Sequence, residues 1–73
     1  MTEDDWIDVP ESQTVRRFRY SETVRILAIE FSSGAAYEYF DVPVHVFEQM
    51  KAAASKGLFL TRTIKGVYRY ARL

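Results

Sequence analysis

Seventy-three residues, 48% hydrophobic and 15% aromatic with no cysteine, describe one globular domain. They exclude a disulfide framework, a thiolate metal site and a membrane span, which requires roughly 20 apolar residues in a row. Ten basic and ten acidic side chains cancel, but Glu3, Asp4, Asp5, Asp8 and Glu11 concentrate negative charge in the first eleven residues and leave the remainder at +5.

Residues 1–8 show no clear period and read as an acidic mobile tail, although Trp6, Ile7 and Val9 could add a short extended segment to a sheet edge. The tail is expected to screen or compete for the basic body. Its acidic start is unlike a secretory signal, and cytoplasm is the default location. From residue 9 onward a single domain is expected. Thr14–Tyr20 alternates as a half-buried strand, with Phe18 and Tyr20 on one face and Val15, Arg17 and Arg19 on the other. Thr23–Phe31 is apolar on both faces and should be a central strand. After the Ser32-Ser33-Gly34 turn, Ala35–Phe40 forms a third strand.

At Asp41-Val42-Pro43 the period becomes helical. Proline pre-sets φ for a first helical turn, and Asp41 can cap or complement the helix start. Val46, Phe47, Met50, Ala53 and Ala54 then form one apolar stripe over Pro43–Ala54, and Lys56 and Gly57 suit the helix end. Leu58–Lys65 is ambiguous, with a short helix preferred because Leu60 and Ile64 are four apart. After Gly66, Val67–Ala71 alternates again as a final strand bringing Tyr68 and Tyr70 together. The predicted fold is α+β: a small antiparallel sheet, a three-stranded meander plus a C-terminal strand, packed against one main helix with a second short helix.

Ser12, Tyr20, the strand Leu27-Ala28-Ile29-Glu30-Phe31, Tyr37-Glu38-Tyr39, Asp41-Val42-Pro43, Ala53–Phe59, Ile64 and Tyr68 together resemble the KTSC domain family, a small bacterial module found alone or at the C-terminus of some lysyl-tRNA synthetases. The resemblance covers residues 9–73. It implies a domain identity more than an activity, with RNA binding suggested by the synthetase context. The chain departs from the family pattern at Leu58-Phe59-Leu60, where members carry an aromatic after the glycine and a further polar residue.

Catalytic motifs are absent. His45 has no cysteine or second histidine to join it, and Glu38, Asp41 and Glu48 suit a strand face, a cap and a helix surface. No enzyme, metal or cofactor is expected. Lys56–Thr63 matches only the first two positions of the RNA-recognition signature and is rejected. Three doublets, Phe18/Tyr20, Tyr37/Tyr39 and Tyr68/Tyr70, could serve as stacking platforms or as core. Burying Glu38 under a helix would cost several kcal/mol, so the helix should cover Tyr37 and Tyr39, making them and Tyr68 mainly structural. Arg17, Arg19, Arg25, Arg62 and Arg69 are the candidate phosphate contacts. Two functions stay open: weak binding of RNA or other single-stranded nucleic acid, or a protein-interaction module, homodimeric or with another protein, lacking nucleic-acid affinity.

Overall fold

A computed structural model describes residues 5–73. The elements in chain order are β1 (Ile7–Asp8), β2 (Val15–Ser21), β3 (Ile26–Phe31), β4 (Ala36–Tyr39), α1 (Val44–Ala52), α2 (Lys56–Phe59) and β5 (Tyr70–Arg72); α2 runs directly into a π-helical turn over Leu60–Ile64. The strands form one five-stranded antiparallel sheet in the order β1-β2-β3-β4-β5. The fold is α+β, with β3 central. α1 and the π turn bury the apolar stripe that β2, β3 and Tyr39 of β4 present on one face, while β5 stays exposed.

Residues 7 and 8, placed in the tail on sequence, instead pair with Phe18 and Arg17. Ile7 packs on the core from the sheet edge. The first four tail residues lie outside the described residues.

β2 carries an irregularity that strict alternation does not foresee. Val15 pairs with Phe31 and Arg17 with Glu30, so Arg16 is an extra residue in the ladder. This bulge rotates Val15 onto the face of Phe18 and Tyr20, and Val15 is 0% exposed rather than sharing the arginine face. β3 is also shorter than the Thr23–Phe31 stretch expected for it, starting at Ile26. Residues 22–25 form the turn, Arg25 takes a left-handed φ of 58°, and Val24 is exposed.

The connection from β4 to α1 is fastened from two sides. The Tyr20 hydroxyl donates to the Val42 carbonyl at 2.5 Å, and the Val42 amide donates to the Arg25 carbonyl at 3.0 Å. Pro43 is the N-cap, with extended backbone, rather than the first helical residue. Asp41 does not cap α1. Its φ is 59°, and its carboxylate accepts from the Arg69 guanidinium at 2.9 Å.

Lys56 and Gly57 begin α2 instead of ending α1, and Ser55 caps α2 by accepting from the Leu58 amide. Lys56 still serves the end of α1, because its ammonium donates to the carbonyls of Lys51 and Ala53 at 3.1 and 2.7 Å. These are carbonyls that a helix C-terminus otherwise leaves to solvent. In the π turn the Lys65 amide reaches Leu60, five residues back. Val67 and Tyr68 belong to the following turn, and the last strand starts only at Tyr70.

The buried cluster joins Val15, Phe18, Tyr20, Leu27, Ile29 and Tyr39 of the sheet to Val46, Phe47, Met50, Leu60 and Ile64 of the helical layer. Phe47 stacks on Tyr20 at 4.8 Å and meets Phe18 edge-on at 6.0 Å. The α1 ring thus sits over β2 rather than over the tyrosines of β4.

Candidate functional site

Five strands at about 4.8 Å spacing make a sheet roughly 19 Å wide, whereas a helix is about 10 Å across. One helix cannot cover that width, and the helical layer leaves the β4–β5 end open, where every residue of β5 is exposed. The opening is a pocket of about 770 Å³ at the β4–β5 end of the helix-side face, floored by Phe31, Tyr37, Tyr39 and Tyr70. Its walls are Gln13 and Thr14 before β2, Ser32, Ser33 and Ala35 in the β3–β4 turn, and Lys65 with Gly66 after the π turn.

The register of the sheet assembles the floor. Tyr39 pairs with Tyr70 across β4 and β5, and Tyr37 pairs with Arg72. Tyr37 and Tyr39 lie nearly parallel at 6.4 Å, and Tyr70 meets both at 5.6 and 5.8 Å. Phe31 closes the cluster edge-on to Tyr37 at 5.6 Å. Burial is graded across these rings: Tyr39 is 3% exposed, Tyr37 is half-buried, and Tyr70 is 61% exposed. Desolvation by burial, reinforced by Tyr37 and Tyr70, raises the pKa of Tyr39 above the ordinary tyrosine value. Its hydroxyl stays neutral across the physiological range.

The rim is cationic. The Lys65 ammonium lies 5.4 Å from the centre of the Phe31 ring, and the Arg72 guanidinium 5.9 Å from that of Tyr37. Arg16, released by the β2 bulge, donates to the Ser32 carbonyl at 3.4 Å. No lining residue is acidic. Among the described residues the ion pairs involve Arg17, Lys51 and Arg69, and none engages Arg16, Lys65 or Arg72.

The arginines singled out on sequence do not converge. Arg17 and Arg19 lie on the sheet face away from the helices. There Trp6 packs against both guanidiniums, at 4.3 and 4.7 Å, and Arg17 pairs with Glu30. Glu38 lies beside Arg19 on that face through their common neighbour Ala28. Arg25 is in the β2–β3 turn, Arg62 is on the exposed side of the π turn, and Arg69 holds Asp41 with its guanidinium over Phe40. Tyr68 packs against the core outside the pocket. Phe18 and Tyr20 are buried, and the pocket takes its tyrosines from Tyr37/Tyr39 and from Tyr70 of the third doublet. Lys65 went unnoticed on sequence because its placement depends on the π turn; the following Gly66, at φ 79°, was the only local signal.

Among the described residues no group of three or more histidine, cysteine, aspartate or glutamate side chains could hold a metal ion, and no helix is long and apolar enough to cross a membrane. The KTSC domain model matches residues 11–68. The chain belongs to the KTSC domain family. It is 42% identical over 64 residues to a lysine–tRNA ligase of Trichormus variabilis, covering 88% of this chain but 11% of that protein. This KTSC chain thus spans about a tenth of the synthetase relatives it matches. It is also 36% identical over 63 residues to a protein of Tsukamurella paurometabola, covering 86% of this chain and 94% of that one. The crystal structure of a KTSC domain protein from Yersinia pestis superposes with a TM-score of 0.90 at 28% identity, covering 94% of this chain and 96% of the other.

Several residues that carried the sequence resemblance have structural duties in this KTSC fold. The Ser12 hydroxyl accepts from the Thr14 and Val15 amides at 3.2 and 3.0 Å. Tyr20 holds Val42, and Lys56 closes α1. Gly57 faces Thr14 so closely that an added Cβ would lie 3.3 Å from the threonine Cβ.

Proposed function

We propose that this KTSC domain is a non-enzymatic, cytoplasmic binding module whose aromatic pocket takes unpaired bases of single-stranded nucleic acid, RNA foremost. The observation that carries the reading is the composition of the pocket: clustered rings of graded exposure, with Lys65 in the wall, Arg72 over Tyr37, Arg16 at the Ser32 carbonyl and no lining carboxylate. Base–aromatic stacking is worth about 1–3 kcal/mol per base, and cations at the rim supply phosphate contacts. An aromatic cage for a quaternary ammonium is disfavoured, since Lys65 and Arg72 already bring positive charge to the ring faces. The lysine–tRNA ligase relatives support an RNA partner.

The decisive measurement is a titration of single-stranded RNA against the parent, Tyr70→Ala and Lys65→Ala. Tyr70→Ala should weaken binding about 10- to 100-fold, the loss of one stacking platform. Its thermal midpoint should move by no more than a few degrees, because the ring is largely exposed. Unchanged affinity in both variants would remove the pocket from nucleic-acid binding. A second reading rests on β5, an edge strand whose residues are all exposed. A protein partner or second copy adding a strand there would bind through main chain and tolerate Tyr70→Ala.

A further inference from the structure

Accepting nucleic acid as the ligand of the pocket, we infer that it reads a local unit, one or two unpaired nucleotides with their flanking phosphates, as found in a hairpin loop, a bulge or a strand end. A continuous single strand needs a path of rings and charges, and this chain does not extend one past the pocket. Phe18 and Tyr20 are buried, while Tyr68 and Phe59 pack against the core. Phe40 is half-buried beside the Arg69–Asp41 ion pair, and Trp6 lies on the other face against Arg17, which is already paired with Glu30. The open rings are therefore confined to one pocket.

Its boundaries are built rather than incidental. The β3–β4 turn at Ser32 and Ser33 closes one side, and Lys65 and Gly66 close another. The volume of about 770 Å³ falls in the range of pockets that hold one compact ligand. Two stacked bases, about 3.4 Å apart, would be accommodated, and a longer run would have to leave over the walls.

The cations set the same limit. Lys65 stands over Phe31 and Arg72 over Tyr37, and Arg16 is held at the carbonyl of Ser32 in the pocket wall. On the outer face the arginines share their surface with carboxylates: Arg17 pairs with Glu30 and lies opposite Asp8 in the ladder. A strand leaving the pocket would meet no continued basic track across that face. At roughly 0.7 per phosphate for single strands, three contacts give a slope of log affinity on log salt of about −2.

The experiment compares end-labelled RNAs of two, four and ten nucleotides, a hairpin with a four-nucleotide loop, and a blunt duplex, each at two or more salt concentrations. From four to ten nucleotides the affinity should rise only about threefold, the gain from additional registers, with a slope near −2. The hairpin should bind within about threefold of the tetranucleotide and the blunt duplex at least tenfold more weakly. Lys65→Gln and Arg72→Gln should each lower the slope by about 0.7. A tenfold or greater gain from four to ten nucleotides, or a slope of −4 or steeper, would overturn the local unit while leaving the pocket as the binding site, whereas equal binding of the blunt duplex would overturn the unpaired-base pocket as well. Absence of binding to every RNA would overturn both.

Discussion

Tyr20 is buried through its ring and satisfied through its hydroxyl, which makes it the side chain on which the β4–α1 connection depends. Tyr20→Phe keeps the stacking on Phe47 but leaves the Val42 carbonyl without that donor. It should cost about 1–3 kcal/mol in denaturant unfolding. Phe47 is the matching anchor on the helical side, in contact with Phe18 and Tyr20. Its truncation to alanine should cost about 3–5 kcal/mol, much of the stability of so small a domain, and a mild shift in thermal midpoint would exclude α1 as the cover. Alkaline titration tests the buried tyrosines. Desolvation raises the pKa of both Tyr20 and Tyr39. Each favours the folded state fully while the unfolded hydroxyl is neutral, below a pH of about 10, and that contribution is lost as pH rises through the higher folded value. Stability should therefore fall above a pH of about 10, and the fall should be shallower in Tyr39→Phe.

Single side chains also close elements. Lys56→Met removes the ammonium from the carbonyls of Lys51 and Ala53 and should destabilise by about 1 kcal/mol, read as a loss of a few degrees in thermal midpoint. A drop no larger than that of Lys51→Met would mean the cap contributes nothing. The elements themselves were largely legible in the sequence, since period-two and helical spacing report burial on one face: β2, β3, β4 and α1 follow from Phe18/Tyr20, Leu27/Ile29, Tyr37/Tyr39 and Val46/Phe47/Met50. Interruptions of period were not legible. The extra residue at Arg16, the left-handed backbone of Arg25 and Asp41, and the delayed start of β5 arise from tertiary hydrogen bonds and sheet register, which one-dimensional spacing does not encode. The pocket was half legible for the same reason. Tyr37 and Tyr39 were visible as a pair, but Phe31, Tyr70 and Lys65 join them only through the β3–β4–β5 ladder and the π turn.

At the scale of the molecule, a sheet wider than its helical cover produces two unlike faces. One holds the core and, past the helices, the aromatic pocket; the other is a mixed-charge surface on which the Trp6 ring of the N-terminal arm packs. The arm is fastened by the short β1 ladder and by Trp6 against Arg17 and Arg19. Trp6 is the only tryptophan beside five tyrosines. The protein thus carries an intrinsic fluorophore whose emission follows docking of the arm and is remote from the pocket, while the pocket is lined by tyrosine chromophores. Tryptophan emission that holds steady while tyrosine signals change would place a ligand on the helical side, and a red shift alone would report release of the arm, so a single unlabelled sample distinguishes the two faces.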